Sequence, residues 1–558
     1  MPLRLLIAIG AGLALADASV VTLALPPMLV DLDTTVEGVA SVIGVYTLVL
    51  AAGMPLAALV RRRVGDRALA AGGFTVFAVA GALCAAPETL GPLLAFRVLQ
   101  AVGAAAALVA AFALLGGGRL WVAAAVFGTA VGPALGGALT QAFEWQAIFL
   151  VGLPVGLAAA GAALALRAVP RAEEDAPGGA ARAADARASE ETVGGRAGAV
   201  VALAAVSAAL TGVLFLLVLL LVSGWSLEPL AAAAAVSVLP LAAFAGARVR
   251  GAAATRASAG CALVAGGVLA LAVLPGSTAA WIVAPQVLAG LGMGMALPAL
   301  AGELLPERTP GQAASLLSVR HAGITIALVA LAPVAAAQLD QAVLDVREQG
   351  AALILDARLP PLDKIELAGP LVADLDPVDP RDSLQRALDA QAGRFADDAE
   401  AKAEYAALTQ RADDTLVAGI DDAFRIAFVI TGALALLGAV AVLPRGRPAR
   451  VVVVATALGA LALPAVHAIL RPAVRPDPVV IADPCKPRAL PETGGIDGFV
   501  QDRALEQLDD AACRVHSSRE ELALALADED EARAYEAKYG VDPRSTGGIL
   551  DLLGINLG

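Results

Sequence analysis

Arg119-Leu-Trp-Val-Ala-Ala-Ala-Val-Phe-Gly128-Thr-Ala-Val-Gly132-Pro133-Ala-Leu-Gly136-Gly137-Ala-Leu-Thr-Gln-Ala-Phe143 carries one basic residue and then 24 residues without a charge. As a helix rising 1.5 Å per residue, a run of this length spans the roughly 30 Å of a bilayer's hydrocarbon core. Gly128, Gly132 and Gly136 recur every four residues, so one face of that helix has no side chains and another helix can approach it closely. Pro133 removes a backbone donor and favours a kink. The stretch reads as a membrane helix shaped for close packing.

Working outward, similar runs fill most of the chain. Thirteen are found, at 3–30, 39–60, 69–85, 90–115, 120–143, 148–166, 197–222, 230–247, 257–274, 279–300, 313–337, 426–443 and 451–470, here numbered spans 1 to 13. The composition agrees: 58% of the 558 residues are apolar, 16% are charged and the mean hydropathy is +0.76, against about 45–50% and about 25% for soluble domains. A soluble enzyme, a secreted disulfide scaffold and a nucleic-acid-binding protein are disfavoured. Basic residues mark the cytoplasmic loops of membrane proteins. Here they occupy the even-numbered connections: Arg61, Arg62, Arg63 and Arg67, then Arg119, the 167–196 linker, Arg248, Arg250 and Arg256, then Arg308, and finally Arg445, Arg447 and Arg450. The short odd-numbered connections hold none. The N-terminus is therefore expected in the cytoplasm and, after thirteen spans, the C-terminus outside, in a bacterial cell (inner) membrane. Ala14-Leu15-Ala16 resembles a signal-peptide cleavage site, but removing span 1 would invert the charge pattern of every later loop, so the span is expected to be retained.

The predicted organisation is a six-helix half at 1–166, a cytoplasmic linker at 167–196 with the composition of a solvated segment, and a second six-helix half at 197–443. Within the second half, 338–424 is an acidic helical insertion; 444–470 holds a thirteenth span and 471–558 an extracytoplasmic domain. The stretches 338–424 and 477–558 carry net charges of −11 and −9, so the rest of the chain is +7 against a total of −13. In the insertion, Leu384, Leu388 and Gln391 share a helix face, which predicts a hairpin. In the tail, Cys485 and Cys513 are the expected disulfide of an exported domain, and Ser518-Arg519-Glu520-Glu521 fits a capping box opening a helix to about Tyr539. Neither metal spacing nor a catalytic constellation is present, so no cofactor and no enzymatic activity are expected.

Two ionisable residues lie inside spans. Asp17, in Asp17-Ala-Ser19-Val-Val-Thr22-Leu-Ala24-Leu25-Pro26, falls about 21 Å from the inner surface on outward-running span 1; Arg97, in Arg97-Val-Leu-Gln100-Ala-Val-Gly103, falls about 10 Å from the outer surface on inward-running span 4. In a core about 30 Å thick these depths nearly coincide. An Asp17–Arg97 interaction is therefore geometrically possible, either as a structural ion pair or as a proton relay.

Together with Tyr46-Thr-Leu48 and Gly290-Leu-Gly-Met-Gly294, and with Trp145-Gln-Ala-Ile-Phe149 after the span 5 glycines, these motifs resemble the multidrug/proton antiporter branch of the major facilitator superfamily. The resemblance covers about 1–337 and 424–443. It implies an all-α polytopic fold of two six-helix pseudo-repeat halves, with the thirteenth helix as an addition. It further implies Asp17 and Arg97 as proton-coupling residues, with Arg97 tuning the carboxylate, and Gln100 and Tyr46 as cavity contacts. Gly128, Gly132, Pro133, Gly136 and Gly137 would form a conformational motif between the halves, and Gly65, Asp66 and Arg67 an inner-loop gate. The chain departs from the family pattern where Arg62 stands at the usual Asp position of that loop, with Asp66 displaced, and where the loop between spans 4 and 5 shrinks to Gly116-Gly-Gly-Arg119.

The leading expectation is a proton-coupled exporter of drugs or amphipathic small molecules working by alternating access. Export of a lipid or cell-envelope component is one alternative; a transporter-derived sensor or scaffold is another. Expected partners are a small apolar or amphipathic substrate, protons, the lipid bilayer and an extracytoplasmic envelope partner for the C-terminal domain, with no nucleic acid. Gln286, Arg320, His321 and His467 are further polar residues inside spans, expected mainly to pack.

Overall fold

A computed structural model of the chain describes residues 2–166, 194–304, 306, 308–360, 363–364, 367, 380–491 and 495–545. Helix is its dominant element. Among the described residues, twelve helices are long and apolar enough to cross a membrane, and a thirteenth is added when the bent pair Arg119–Val126 and Ala130–Phe143, inclined by 46°, is taken as one span. The bend falls beside residue 129, whose carbonyl, four residues before Pro133, is the one a proline ring displaces. The protein is a multi-pass membrane protein. Most of the 167–196 linker lies outside the described residues.

Several spans differ from the expected runs. Span 1 is helical over Pro2–Thr22, breaks at Leu23 and Ala24, and resumes as Leu25–Asp31 with proline in its first turn. Span 7 ends in a π-helical turn, Leu220–Gly224. Span 8 is split at Ser237 into Pro229–Val236 and Val238–Gly246. Span 11 belongs to a 47-residue helix, Pro310–Asp356. Apolar periodicity could not show this extension, because the stretch 338–350 that follows the span is polar enough to read as loop.

Contacts divide the chain into two compact units. The first joins Met1–Val222, Leu227–Ala337 and Phe424–Ala473 and holds all the apolar spans. Within it, small residues let helices meet backbone to backbone: a Cβ added at Gly73 would lie 2.4 Å from the Ala107 nitrogen, and one at Gly103 2.4 Å from the Phe77 nitrogen. The second unit joins Ser223–Ser226, Gln338–Ala423 and Val474–Gly558. The acidic insertion and the tail, read from sequence as separate pieces, therefore share one unit.

Side chains show what holds that second unit together. Trp225 donates through Nε1 to Asp421 Oδ1 at 2.8 Å, and Asp421 Oδ2 pairs with Arg475 at 3.1 Å. Arg381 bridges Asp413 at 2.8 Å and donates to the Trp225 carbonyl at 2.9 Å. Arg519, fully buried, binds Asp356 at 2.7 Å and Glu520 at 3.1 Å, and Arg488 joins Glu520 to Asp509. The hairpin forms from Pro380–Ala392 and Ala399–Ala423, with Leu384 and Leu388 buried and Phe395 stacked on Tyr405 at 4.5 Å. The Ser518 capping box is present, but its helix stops at Ala527; Asp528 then caps a second helix, Glu529–Tyr539. Cys485 and Cys513 lie at disulfide distance, with Cα atoms 5.0 Å apart.

Candidate functional site

Span 4 is an unbroken helix, Leu90–Leu115, so Arg97 and Gln100 sit one turn apart on the same face. Asp17, five residues before the break in span 1, meets them. Arg97 Nη2 lies 2.7 Å from Asp17 Oδ2, Arg97 Nη1 donates to Gln100 Oε1 at 2.7 Å, and Gln100 Nε2 donates to Asp17 Oδ1 at 3.1 Å. The three side chains close a ring. Arg97 Nε donates to the Val42 carbonyl at 3.0 Å, and the guanidinium covers the Tyr46 ring at 4.3 Å. Tyr46 in turn donates to the Ala14 carbonyl at 3.0 Å. Arg97 is wholly buried, Tyr46 and Gln100 are 1% and 3% exposed, and Asp17 is 8% exposed. A charge pair removed from water needs this density of hydrogen bonds to persist.

Tyr46 and Gln100, expected as cavity contacts, belong instead to the buried charge cluster. The central cavity is lined by other residues. Spans 1, 5, 7, 8, 10 and 11 enclose it, with Ser19 and Thr22 on span 1, Pro133 on span 5, Ser207 and Thr211 on span 7, Gln286 on span 10 and Arg320 and His321 on span 11. Leu214, Leu217, Leu239, Met293, Leu297 and Ile324 supply apolar walls. Leu15 and Ala18 line it too, so the residues flanking Asp17 reach the cavity while the carboxylate turns to Arg97. Ser207 and Thr211 carried no sequence signal, since isolated hydroxyls are ordinary in membrane helices. Gln286 is buried, its Nε2 donating to the Ala235 carbonyl at 3.0 Å. His467 bonds the Ala270 carbonyl at 3.2 Å and meets Trp281 edge to face, away from this cavity.

The span 5 glycines divide their roles. A Cβ at Gly128, Gly132 or Gly136 would stand 2.2 Å from the Gly12 carbonyl, 1.9 Å from Ser19 Oγ and 2.3 Å from the Val20 carbonyl, all on span 1 of the same half. Gly137 alone of the four faces the other half, 2.6 Å from the Pro229 carbonyl and 2.4 Å from Ala233 by the same construction. The halves also bond where Thr47 meets Thr325 at 2.9 Å and Ser318 donates to the Ala51 carbonyl at 2.5 Å. The motif expected as a sliding surface between halves is therefore mainly a seam within one half.

In the loop between spans 2 and 3, Gly65 adopts φ +87° and joins helices Val36–Val64 and Asp66–Leu83. Arg61 pairs with Asp66 at 3.0 Å, and Arg67 donates to the Ala163 carbonyl at 3.4 Å and to that of Leu164. The acidic side chain sits in the first turn of its helix, where the dipole favours it; the arginine caps the end of Gly152–Ala165. The charges lost from the usual position are thus replaced by a local pair.

Comparison with known proteins matches residues 7–329 to the model of the Major Facilitator Superfamily. The methylenomycin A resistance protein of Bacillus subtilis is 32% identical over 166 residues, 28% of this chain and 36% of its own. The putative multidrug resistance protein MdtD of Serratia proteamaculans is 34% identical over 178 residues, 29% and 36% of the two chains. The chain thus spans about a third of the length of these curated relatives. A crystal structure of a bacterial homologue of the human lysosomal transporter Spinster, inward-facing and unoccupied, superposes with a TM-score of 0.52 at 16% identity, covering 79% of this chain and 97% of that one. Its agreement concerns the fold. On the family match across more than half its length, this chain belongs to the Major Facilitator Superfamily of membrane transporters.

Proposed function

We propose that the protein exports amphipathic small molecules in exchange for protons, by alternating access of the central cavity, with Asp17 as the proton-carrying carboxylate. One observation carries the reading: Asp17 is locked to Arg97 and Gln100 on span 4, while its neighbours Leu15, Ala18 and Ser19 form cavity wall. A proton on Asp17 removes one charge of the pair. Arg97 then keeps Gln100 Oε1 and the Val42 carbonyl, and span 1 is released from span 4. Because span 1 carries cavity wall, protonation and cavity shape become one equilibrium. Relatives named for drug resistance and a drug efflux pump of Mycobacterium tuberculosis, 31% identical over 159 residues, support export as the direction. The Arg-rich even loops support an N-terminus in the cytoplasm and a polar unit outside.

The test is Asp17→Asn in reconstituted vesicles. It should abolish pH-gradient-driven transport while the purified protein still folds. Full gradient-driven transport in this variant would remove the proton from the mechanism and leave an uncoupled facilitator; no transport by the wild type under any gradient would favour the scaffold reading. The largely apolar cavity walls also accommodate a lipid or envelope component as cargo.

A further inference from the structure

Arg320 lines the central cavity. It lies seven residues into span 11, about 10 Å from the inner end of that span and so well inside a bilayer core about 30 Å thick. A guanidinium at that depth is costly unless something offsets it. The other arginine deep inside the spans, Arg97, has its offset in Asp17, Gln100 and two aromatic rings. Arg320 makes neither an ion pair nor a hydrogen bond with any described residue. Its charged surroundings contain no carboxylate, since none lines the cavity, and the Asp17 carboxylate is held by Arg97.

Two further polar groups are left open in the same wall. Ser207 Oγ and Gln286 Oε1 are buried without a hydrogen-bond partner among the described residues, although Gln286 Nε2 is satisfied. Buried polar atoms are almost always paired, so open ones beside a cavity point to a ligand or water that completes them. The hydroxyl and the guanidinium are donors, whereas Gln286 Oε1 accepts and is left for a water or a ligand hydroxyl; a cationic head would find no acidic group here. Around them stand Leu214, Leu217, Leu239, Met293 and Leu297, which suit an alkyl or aromatic body.

We propose that the cargo is an anionic amphiphile, with Arg320 binding its oxyanion head, carboxylate or phosphate, and Ser207 as a secondary donor. The inference rests on the transport reading of the cavity and narrows it to a substrate class. Arginine suits the role because its planar fork holds carboxylate and phosphate bidentately and keeps its charge at every physiological pH. The alkyl body is then chosen by area alone and the head by charge.

The experiment uses the full chain in nanodiscs of zwitterionic phosphatidylcholine, with tritiated dodecyl phosphate, laurate and dodecyltrimethylammonium as probes of equal chain length. Wild type should bind at least one of the two anions at least tenfold more tightly than the ammonium, and the stronger of the two identifies the head as phosphate or carboxylate. R320Q should lose at least tenfold on that anion and leave the ammonium unchanged or tighter, while R320K should keep part of the preference. Equal affinity of wild type for all three heads overturns the proposal, with no variant needed. So does an R320Q protein that keeps the anion preference. R320Q should melt no lower than wild type, because it removes an unpaired charge from a membrane span; a drop of several degrees would show that the cation serves the fold and would also overturn the proposal. Failure of the proton-exchange reading looks different: Asp17→Asn would keep gradient-driven transport while the head-group preference persisted.

Discussion

At the scale of single residues, the cluster of Asp17, Arg97 and Gln100 makes its own forecast. Arg97→Ala strands a buried carboxylate, and breaking a buried pair costs about 3–5 kcal/mol. The double variant Asp17→Asn with Arg97→Gln should recover much of that loss, because neither side then carries a stranded charge; a melting series on the purified proteins measures both. In the polar unit, Lys364 is buried and donates to the Leu355 carbonyl at 2.7 Å, and burial pulls its ammonium down to about 8. Below about pH 8 both folded and unfolded chains hold the proton and the full burial cost stands. Between there and the ordinary value near 10.5 the folded lysine is already neutral while the unfolded one is charged, so stability rises with pH, by on the order of 3 kcal/mol in all. Lys364→Met should abolish that rise, measured as amide exchange of Pro380–Ala392 in the full chain, corrected for intrinsic rates. An unchanged rise in the variant would assign it to another group.

Among the elements, the glycines of span 5 separate two effects that their spacing makes look alike. Gly136→Ala drives a methyl into the Val20 carbonyl within one half, and such overpacking costs about 1–3 kcal/mol of stability. Gly137→Ala meets Pro229 and Ala233 of the other half. It should leave the melting of the first half nearly unchanged and slow turnover, because it opposes the closed contact of spans 5 and 8. Transport and thermal melts on the same two proteins distinguish them. Gly65, with φ +87°, should not tolerate alanine; the left-handed region costs a residue with a Cβ about 1–2 kcal/mol. These roles were hidden because a four-residue repeat states that a helix face is bare, not which helix lies against it.

For the molecule as a whole, the topology is the accessible test. The proposed topology, thirteen spans from a cytoplasmic N-terminus, would put Cys485 and Cys513 outside, in a compartment that keeps disulfides. Maleimide should label the tail of intact cells only after a reductant is added. Labelling that requires permeabilised membranes would reverse the tail's side. The polar unit's coherence is testable in the same chain: Arg519→Ala leaves Glu520, 1% exposed, without its nearest buried cation. It should lower the unit's stability by about 3–5 kcal/mol, read by proteolysis of 495–545.

Sequence alone determined the membrane character and the approximate apolar runs, and made an Asp17–Arg97 contact possible, because each rests on a one-dimensional quantity. Apolar run length answers to bilayer thickness, loop charge to the sidedness of insertion, and residue count along a helix to depth. Those quantities survive whatever the helices do sideways. Tertiary structure alone decided that Tyr46 and Gln100 serve the charge cluster, that Arg320 and Ser207 face the cavity, that three motif glycines bind span 1, and that an insertion and a tail 50 residues apart share one fold. The physical reason is azimuth: a uniformly apolar helix has no periodicity to say which of its faces meets a neighbour, and only the packing of the other helices chooses it.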